Sequence, residues 1–308
     1  MKKVDVIILS GFLGSGKTTL LQKMLKQEQE AGRKTAVVMN EVGEVSIDSD
    51  SVPEETPLKE LLNGCICCTL SGKLEIKLSE LLHGHELDVI YIETTGVAHP
   101  VEVLDTCLSP MLAEKLRIRS IITLLDVMSW KERHSLSIPV RQLITEQVKH
   151  ADIVVMNKID CIRDDARRAV EEEVRSLNPK GAVVPTTFAD VDLNELIQNE
   201  RQQSGDHVKI HADGHLHIKT FVHSFQNPVS QQLFEDFLRS MPDSIYRIKG
   251  YLRFDEKKET LFFQYSYGMT SYEKADLKMK NTLVFIGDEM DHEELSRTLM
   301  EIEKKGTA

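Results

Sequence analysis

An apolar run, "VDVIILS" (4–10), is followed by five more of similar kind: "TAVVMN" (35–40), "LDVIYIE" (87–93), "SIITLLD" (120–126), "ADIVVMN" (151–157) and "AVVPTT" (182–187). Consecutive apolar, β-favouring positions describe strands buried on both faces, as in a parallel sheet. Between them lie stretches with helical spacing, such as "TTLLQKMLKQEQE" (18–30) and "DDARRAVEEEVRSL" (164–177). Strand and helix in alternation predict an α/β domain, a mostly parallel sheet flanked by helices. From about residue 190 the pattern stops. "QNERQQSGDHVKIHADGHLH" (198–217) is polar, holds four of the eleven histidines, and reads as a linker. Beyond it the pattern predicts a strand at 216–222, a helix near 228–240, strands near 245–254, 260–267 and 282–287, and a helix from 291. That is a small α+β domain. The expected organisation is a nucleotide-binding α/β domain over 1–204, a His-containing linker over 205–215 and the α+β domain over 216–308.

A chain of 308 residues is long enough for two buried cores. Its 41% hydrophobic and 28% charged content is ordinary for a soluble protein. The net charge of −11 argues against nucleic acid or an anionic membrane as main partner, since both select basic faces. "MKKVDVIILSGFLG" begins like a signal peptide, but Asp5 interrupts the apolar run and no small-residue cleavage site follows. No stretch approaches the roughly 18 uncharged apolar residues of a spanning helix. These features point to the cytoplasm, where clustered cysteines serve as ligands or catalysts more often than as structural disulfides.

"GFLGSGKT" (11–18) matches the full phosphate-loop pattern, between an apolar strand and a helical stretch. Gly11, Gly14 and Gly16 let backbone N–H groups, with those of Ser15 and Thr19, close around phosphate oxygens at a helix N-terminus. Lys17 reaches the β- and γ-phosphates, and Thr18 offers its hydroxyl to Mg²⁺. "NKID" (157–160) follows a second apolar strand, at the carboxyl end where α/β sheets bind ligands. Asp160 can accept from both N1–H and the 2-amino group of guanine, whereas adenine would leave it unpaired. Asn157 would orient this loop and Lys158 would lie along the purine. In "YIETTGVAHP" (91–100), Glu93 is placed for Mg²⁺, directly or through water, and the Gly96 amide for the γ-phosphate. "MNEVGEVSID" (39–48) carries Glu41, Glu44 and Asp48 where a nucleotide-sensing switch would lie. Glu41, beside the strand end, is the strongest candidate to order the attacking water or complete a metal site.

Three of the five cysteines fall in "NGCICCTL" (63–70). Cys65, Cys67 and Cys68 supply two or three soft ligands, and all three can share one metal only if the backbone turns. The spacing is too tight for a zinc finger, and an incomplete site suits a carrier. A redox pair and inert buried thiols are the alternatives. His211, His215 and His217, with His207, are either a second metal site or a solvated tract. Trp130, Cys107 and Cys161 read as packing or surface residues.

"GFLGSGKTTLL", "NEVGE", "NGCICCTL", "ETTGVAHP", "NKID" and the later "YRIKGYL" (246–252) occur in that order. Together they resemble the CobW-type family of P-loop GTPases, over nearly the whole chain. The resemblance implies a P-loop NTPase domain followed by a small CobW C-terminal domain. It implies GTP and GDP as nucleotides, with Mg²⁺, and Zn²⁺, Co²⁺ or another transition metal held at Cys65, Cys67 and Cys68. It further implies a metallochaperone that hydrolyses GTP and delivers metal to client proteins, with Lys17, Glu41 and Glu93 at the reacting end. A metal buffer or sensor whose nucleotide only sets conformation is the alternative. A second copy of the chain, joined in a metal- or nucleotide-dependent way, is a further expected partner. Two departures stand out: Val42 replaces the usual Phe after "NE", and His99 replaces the usual Asp after "VA", adding a metal ligand beside the nucleotide.

Overall fold

A computed structural model of the chain describes residues 3–40, 58–60, 70–192, 219–242, 244–255, 259–266, 268–275, 279–287 and 290–306. It divides into two compact units, Met1–Cys107 with Lys115–His217, and Leu108–Glu114 with Ile218–Ala308.

In the first unit, β1 (Val4–Ser10), β2 (Thr35–Asn40), β3 (Leu58–Glu60), β4 (Val89–Thr94), β5 (Leu116–Asp126), β6 (Ile153–Asn157) and β7 (Ala182–Pro185) form one sheet. Its order is β3-β2-β4-β1-β5-β6-β7 and every pairing is parallel. The helices are α1 (Lys17–Glu30), α2 (Leu70–Gly84), α3 (Pro100–Cys107), α4 (Val127–Glu132), α5 (Ile138–Lys149) and α6 (Asp164–Leu177). Every residue of β6 is buried, which follows from a strand covered on both faces. Ile153 and Val155 join a core with Leu20, Leu21, Met24 and Leu25 of α1. The alternate residues Val154 and Met156 join Ile144 and Val148 of α5 and Val170 and Val174 of α6 in a second core. Each such aliphatic side chain contributes about 1.5–3 kcal/mol on burial.

β5 begins at Leu116, four residues before the continuous apolar run. Its first four residues alternate: Leu116 and Ile118 are buried, while Arg117 and Arg119 are partly exposed. Both arginines turn toward Asp5, together with Arg33 of the loop after α1, at 2.6, 4.0 and 3.4 Å for Arg117, Arg119 and Arg33. The acid that interrupts the first apolar run thus anchors three basic side chains at the start of the central strand.

In the second unit, β8 (Lys219–Ser224), β9 (Ile245–Arg253), β10 (Thr260–Ser266), β11 (Met269–Lys274) and β12 (Thr282–Gly287) form an antiparallel sheet of order β11-β10-β9-β12-β8. Helices α7 (Gln231–Arg239) and α8 (His292–Gly306) complete it. Phe234 and Phe237 of α7 and Leu299 and Ile302 of α8 share a core with Ile248, Leu252, Phe263 and Phe285 of the sheet. Among the described residues no helix is long and apolar enough to cross a membrane.

Candidate functional site

Parallel pairing brings the carboxyl ends of the strands to one edge of the first sheet. Leu9 pairs with Glu93, Ser10 with Thr123, Asn40 with Thr94, and Asp126 with Asn157. Sheets of this class bind ligands in that crevice, where the strand order reverses around β1.

The loop after β1 turns through glycines. Gly11, Gly14 and Gly16 have φ of 135°, 72° and 105°. A Cβ at Gly11 would sit 2.3 Å from the Leu124 carbonyl oxygen, and one at Gly16 would sit 2.6 Å from Asn157 Nδ2. These contacts, added to the positive φ, exclude a side chain at either position. Among the described residues no side chain caps α1. Its first N–H groups, at the positive end of the helix, therefore suit an anion.

Lys17 is buried and folds back over the loop, donating to the carbonyls of Gly11 at 2.8 Å and Phe12 at 3.3 Å. Burial holds its ammonium below the usual lysine range, partly offset by the Glu93 charge. Thr18 Oγ1 donates to Glu93 Oε1 at 3.0 Å, and Glu93 is itself buried at the end of β4. Thr19 is exposed in the first turn of α1. Ser15 Oγ and Thr95 Oγ1 are buried without a hydrogen-bond partner among the described residues, an arrangement that a polar ligand would satisfy. Gly96 is buried against Leu13 of the phosphate loop, whose backbone nitrogen would lie 2.7 Å from a Cβ there.

Asn157 joins three segments. Its Nδ2 donates to the Ser15 carbonyl at 2.8 Å, and its Oδ1 accepts from the Ala189 N–H at 2.9 Å. Lys158 adopts φ 63° and donates from Nζ to Asp126 Oδ2 at 2.6 Å. Asp160 lies in a single 3-10 turn and is exposed, beside a cavity of about 560 Å³ that Ile159, Ile162, Arg163, Arg167 and Thr187 also line.

Several residues absent from the sequence reading belong to this arrangement. Asp126 ends β5, caps α4 by accepting from the N–H groups of Met128 and Ser129, and holds Lys158. Gln147 of α5 is buried and donates to the carbonyls of Gly96 at 3.3 Å and Ala98 at 3.1 Å, so it fastens the turn after β4. The loop after β7 contributes Thr187 and Ala189, the latter at φ 50°. The available signal was positional for Asp126, Thr187 and Ala189, which end or follow strands whose carboxyl ends share an edge with "NKID"; Gln147, inside α5, offered no such signal. Glu41, Cys65, Cys67, Cys68, His211, His215 and His217 lie outside the described residues, as do Glu44, Asp48 and His207. Cys107 is buried, its thiol pushed up to about 12 by burial, and Cys161 is exposed. Trp130 is buried in the core on the α5 and α6 side.

Comparison with known proteins extends this geometry. Residues 5–185 match the CobW/HypB/UreG nucleotide-binding domain, and residues 218–303 match the cobalamin synthesis protein cobW C-terminal domain. The zinc chaperone YjiA of Escherichia coli strain K12 is 31% identical over 317 residues, covering 96% of this chain and 97% of its own. The zinc-regulated GTPase metalloprotein activator 1 of Dictyostelium discoideum is 26% identical over 231 residues, covering 64% of this chain and 48% of that longer protein. The crystal structure of Zn(II)-bound YjiA GTPase from E. coli superposes with a TM-score of 0.50 and 26% identity, covering 98% of this chain and 99% of that one. With both family domains matched in order along most of its length, the chain belongs to the CobW family of CobW/HypB/UreG nucleotide-binding proteins.

Proposed function

We propose that this chain is a GTPase that carries Zn²⁺ or a related transition metal on Cys65, Cys67 and Cys68 and delivers it to a client metalloprotein. The observation that carries the nucleotide half is the double tie of Asn157, which fixes the phosphate loop and the loop after β7 to the end of β6, three residues before Asp160. A base and a triphosphate read by those segments would be held in one register.

Thr18 and Glu93 fit Mg²⁺. Their oxygens stand 3.0 Å apart, close to the cis edge of about 3.0 Å for octahedral oxygen ligands at roughly 2.1 Å. Bound there, Mg²⁺ would neutralise developing charge on the β- and γ-phosphate oxygens. Lys17 would leave the loop carbonyls for phosphate oxygens, where its buried ammonium acts in a low dielectric. Glu41, the residue after Asn40 at the end of β2, would orient the attacking water. Asp160 would select guanine.

The metal half is supported by the zinc named in the relatives and by the soft donor set of the cysteines. Residues 40–68 run from the switch strand to the thiols, so one connection would feel both ligands. Such coupling requires unequal metal affinity in the two nucleotide states.

Hydrolysis is tested with purified protein, Mg²⁺ and either GTP or ATP. Turnover of GTP that is lost in Lys17→Ala is expected. Asp160→Asn should weaken GTP and favour the xanthine nucleotide, because an amide can donate to the 2-oxo group while accepting from N1–H. Absence of turnover, with metal and client present, would favour the buffer or sensor reading. Equal Zn²⁺ affinity with GTP analogue and GDP would rule out the coupling.

A further inference from the structure

A second cluster of ligating groups lies in the first unit. His99 ends the turn after β4, one residue before α3. Glu146 and His150 stand four residues apart at the end of α5, the spacing that sets side chains one above another on a helical face. The potential ligand atoms of His99, Glu146 and His150 all lie within 4.8 Å of one another, and all three residues are half-buried. Glu146 Oε2 meets His150 Nε2 at 3.2 Å, and the two imidazole centroids are 5.5 Å apart.

We propose that His99, Glu146 and His150 form a transition-metal site of the Zn²⁺ class, separate from the cysteines, whose occupancy is linked to the nucleotide turn Thr94–His99. Two imidazoles and one carboxylate are a donor set of zinc sites that keep a fourth position for water or a partner's ligand. The absence of thiolate disfavours Cu(I), and the nitrogen ligands disfavour Mg²⁺. Ligand atoms on one tetrahedral zinc stand about 3.4 Å apart at bonds near 2.1 Å. Closing from 4.8 Å is then a shift of about 1.4 Å, a distance that side-chain rotation covers. Burial holds His150 below the usual histidine range, against the pull of Glu146, so the neutral imidazole that a metal needs prevails near neutral pH.

The linkage, though not the site, rests on the reading of Gly96 as the γ-phosphate contact. His99 Nδ1 accepts from the Val101 N–H at 3.3 Å, in the first turn of α3. A metal on Nδ1 takes that lone pair, and a metal on Nε2 moves the proton to Nδ1. Either way the bond to Val101 is given up. On the other flank, Gln147 is next to the ligand Glu146 and holds Gly96 and Ala98. A metal would thus pin the turn to α5 from both sides.

The test uses the full chain with Cys65, Cys67 and Cys68 changed to Ser and His207, His211, His215 and His217 changed to Gln. Equilibrium dialysis against Zn²⁺ and visible spectra with Co²⁺ then report only other sites. One bound equivalent is expected, with Co²⁺ bands free of thiolate charge transfer. His99→Gln with His150→Gln should abolish it, and Glu146→Gln alone should weaken it by about tenfold or more. No bound metal in that background, or affinity unchanged by the substitutions, overturns the site. Circular dichroism melts check folding. Should the double variant unfold, H99Q and E146Q singly carry the test, and unchanged affinity in both overturns it. Zn²⁺ affinity that is equal with GTP analogue and GDP overturns the linkage and leaves the site. Failure to bind guanine nucleotide at all overturns the nucleotide reading and the linkage together, while the dialysis result still decides the site.

Discussion

At the residue scale, Asn157 is 2% exposed and its amide serves two backbone groups on different loops. Asn157→Ala strands the Ser15 carbonyl and the Ala189 N–H, at a cost of about 1–3 kcal/mol. A lower urea midpoint at unchanged slope would show it. Asp126 makes a pH-dependent contribution. Burial alone would push its carboxyl up, but the Lys158 hydrogen bond and the Ser129 and Met128 N–H groups more than offset this and hold it below the ordinary value of 3.8. The native state then binds fewer protons than the unfolded chain between the two pKa values. The stabilisation is complete above the unfolded value and is lost as pH falls through the lower folded one. The stability gap between native protein and Asp126→Asn should therefore be flat above about pH 5 and shrink toward pH 3. A gap that widens on acidification would contradict the assignment. Asp126 was invisible in the sequence because an acid at the end of an apolar run has no period; its role exists only through a strand neighbour, Asn157, and the lysine that follows it.

At the element scale, legibility followed the kind of periodicity. β6 and β12 announce themselves as unbroken apolar runs because both faces are covered. The first four residues of β5 alternate instead, and β11 is almost wholly exposed at the sheet edge, so neither segment stands out as a run. β3 has only three residues and is a strand by virtue of pairing with β2. Gly250, inside "YRIKGYL", is explained at this scale. A Cβ there would lie 2.0 Å from the Thr282 carbonyl oxygen of β12 and 2.8 Å from Leu283, so β9 and β12 approach closely because the side chain is missing. Gly250→Val should cost about 3 kcal/mol by forcing these central strands apart, read as a lower melting temperature. An unchanged melting temperature would mean that the sheet yields more easily than its packing implies.

At the scale of the whole molecule, ligand binding should appear as stability. A nucleotide present at about 100 times its dissociation constant adds about 2.7 kcal/mol. Thermal melts with GTP and Mg²⁺ should therefore shift upward in the native protein and not in Lys17→Ala. An equal shift with ATP would remove the case for Asp160. The sequence by itself determined the alternation of strand and helix, the phosphate-loop pattern, the "NKID" tetrad and the cysteine cluster, because each is written in short-range spacing. Only the tertiary structure decided that Asn157 reaches a residue 142 positions away, that Glu93 meets Thr18 across 75, and that His99 meets His150. Strand order sets those meetings. It depends on how buried faces stack rather than on any local period, so it comes into being only when the sheet forms.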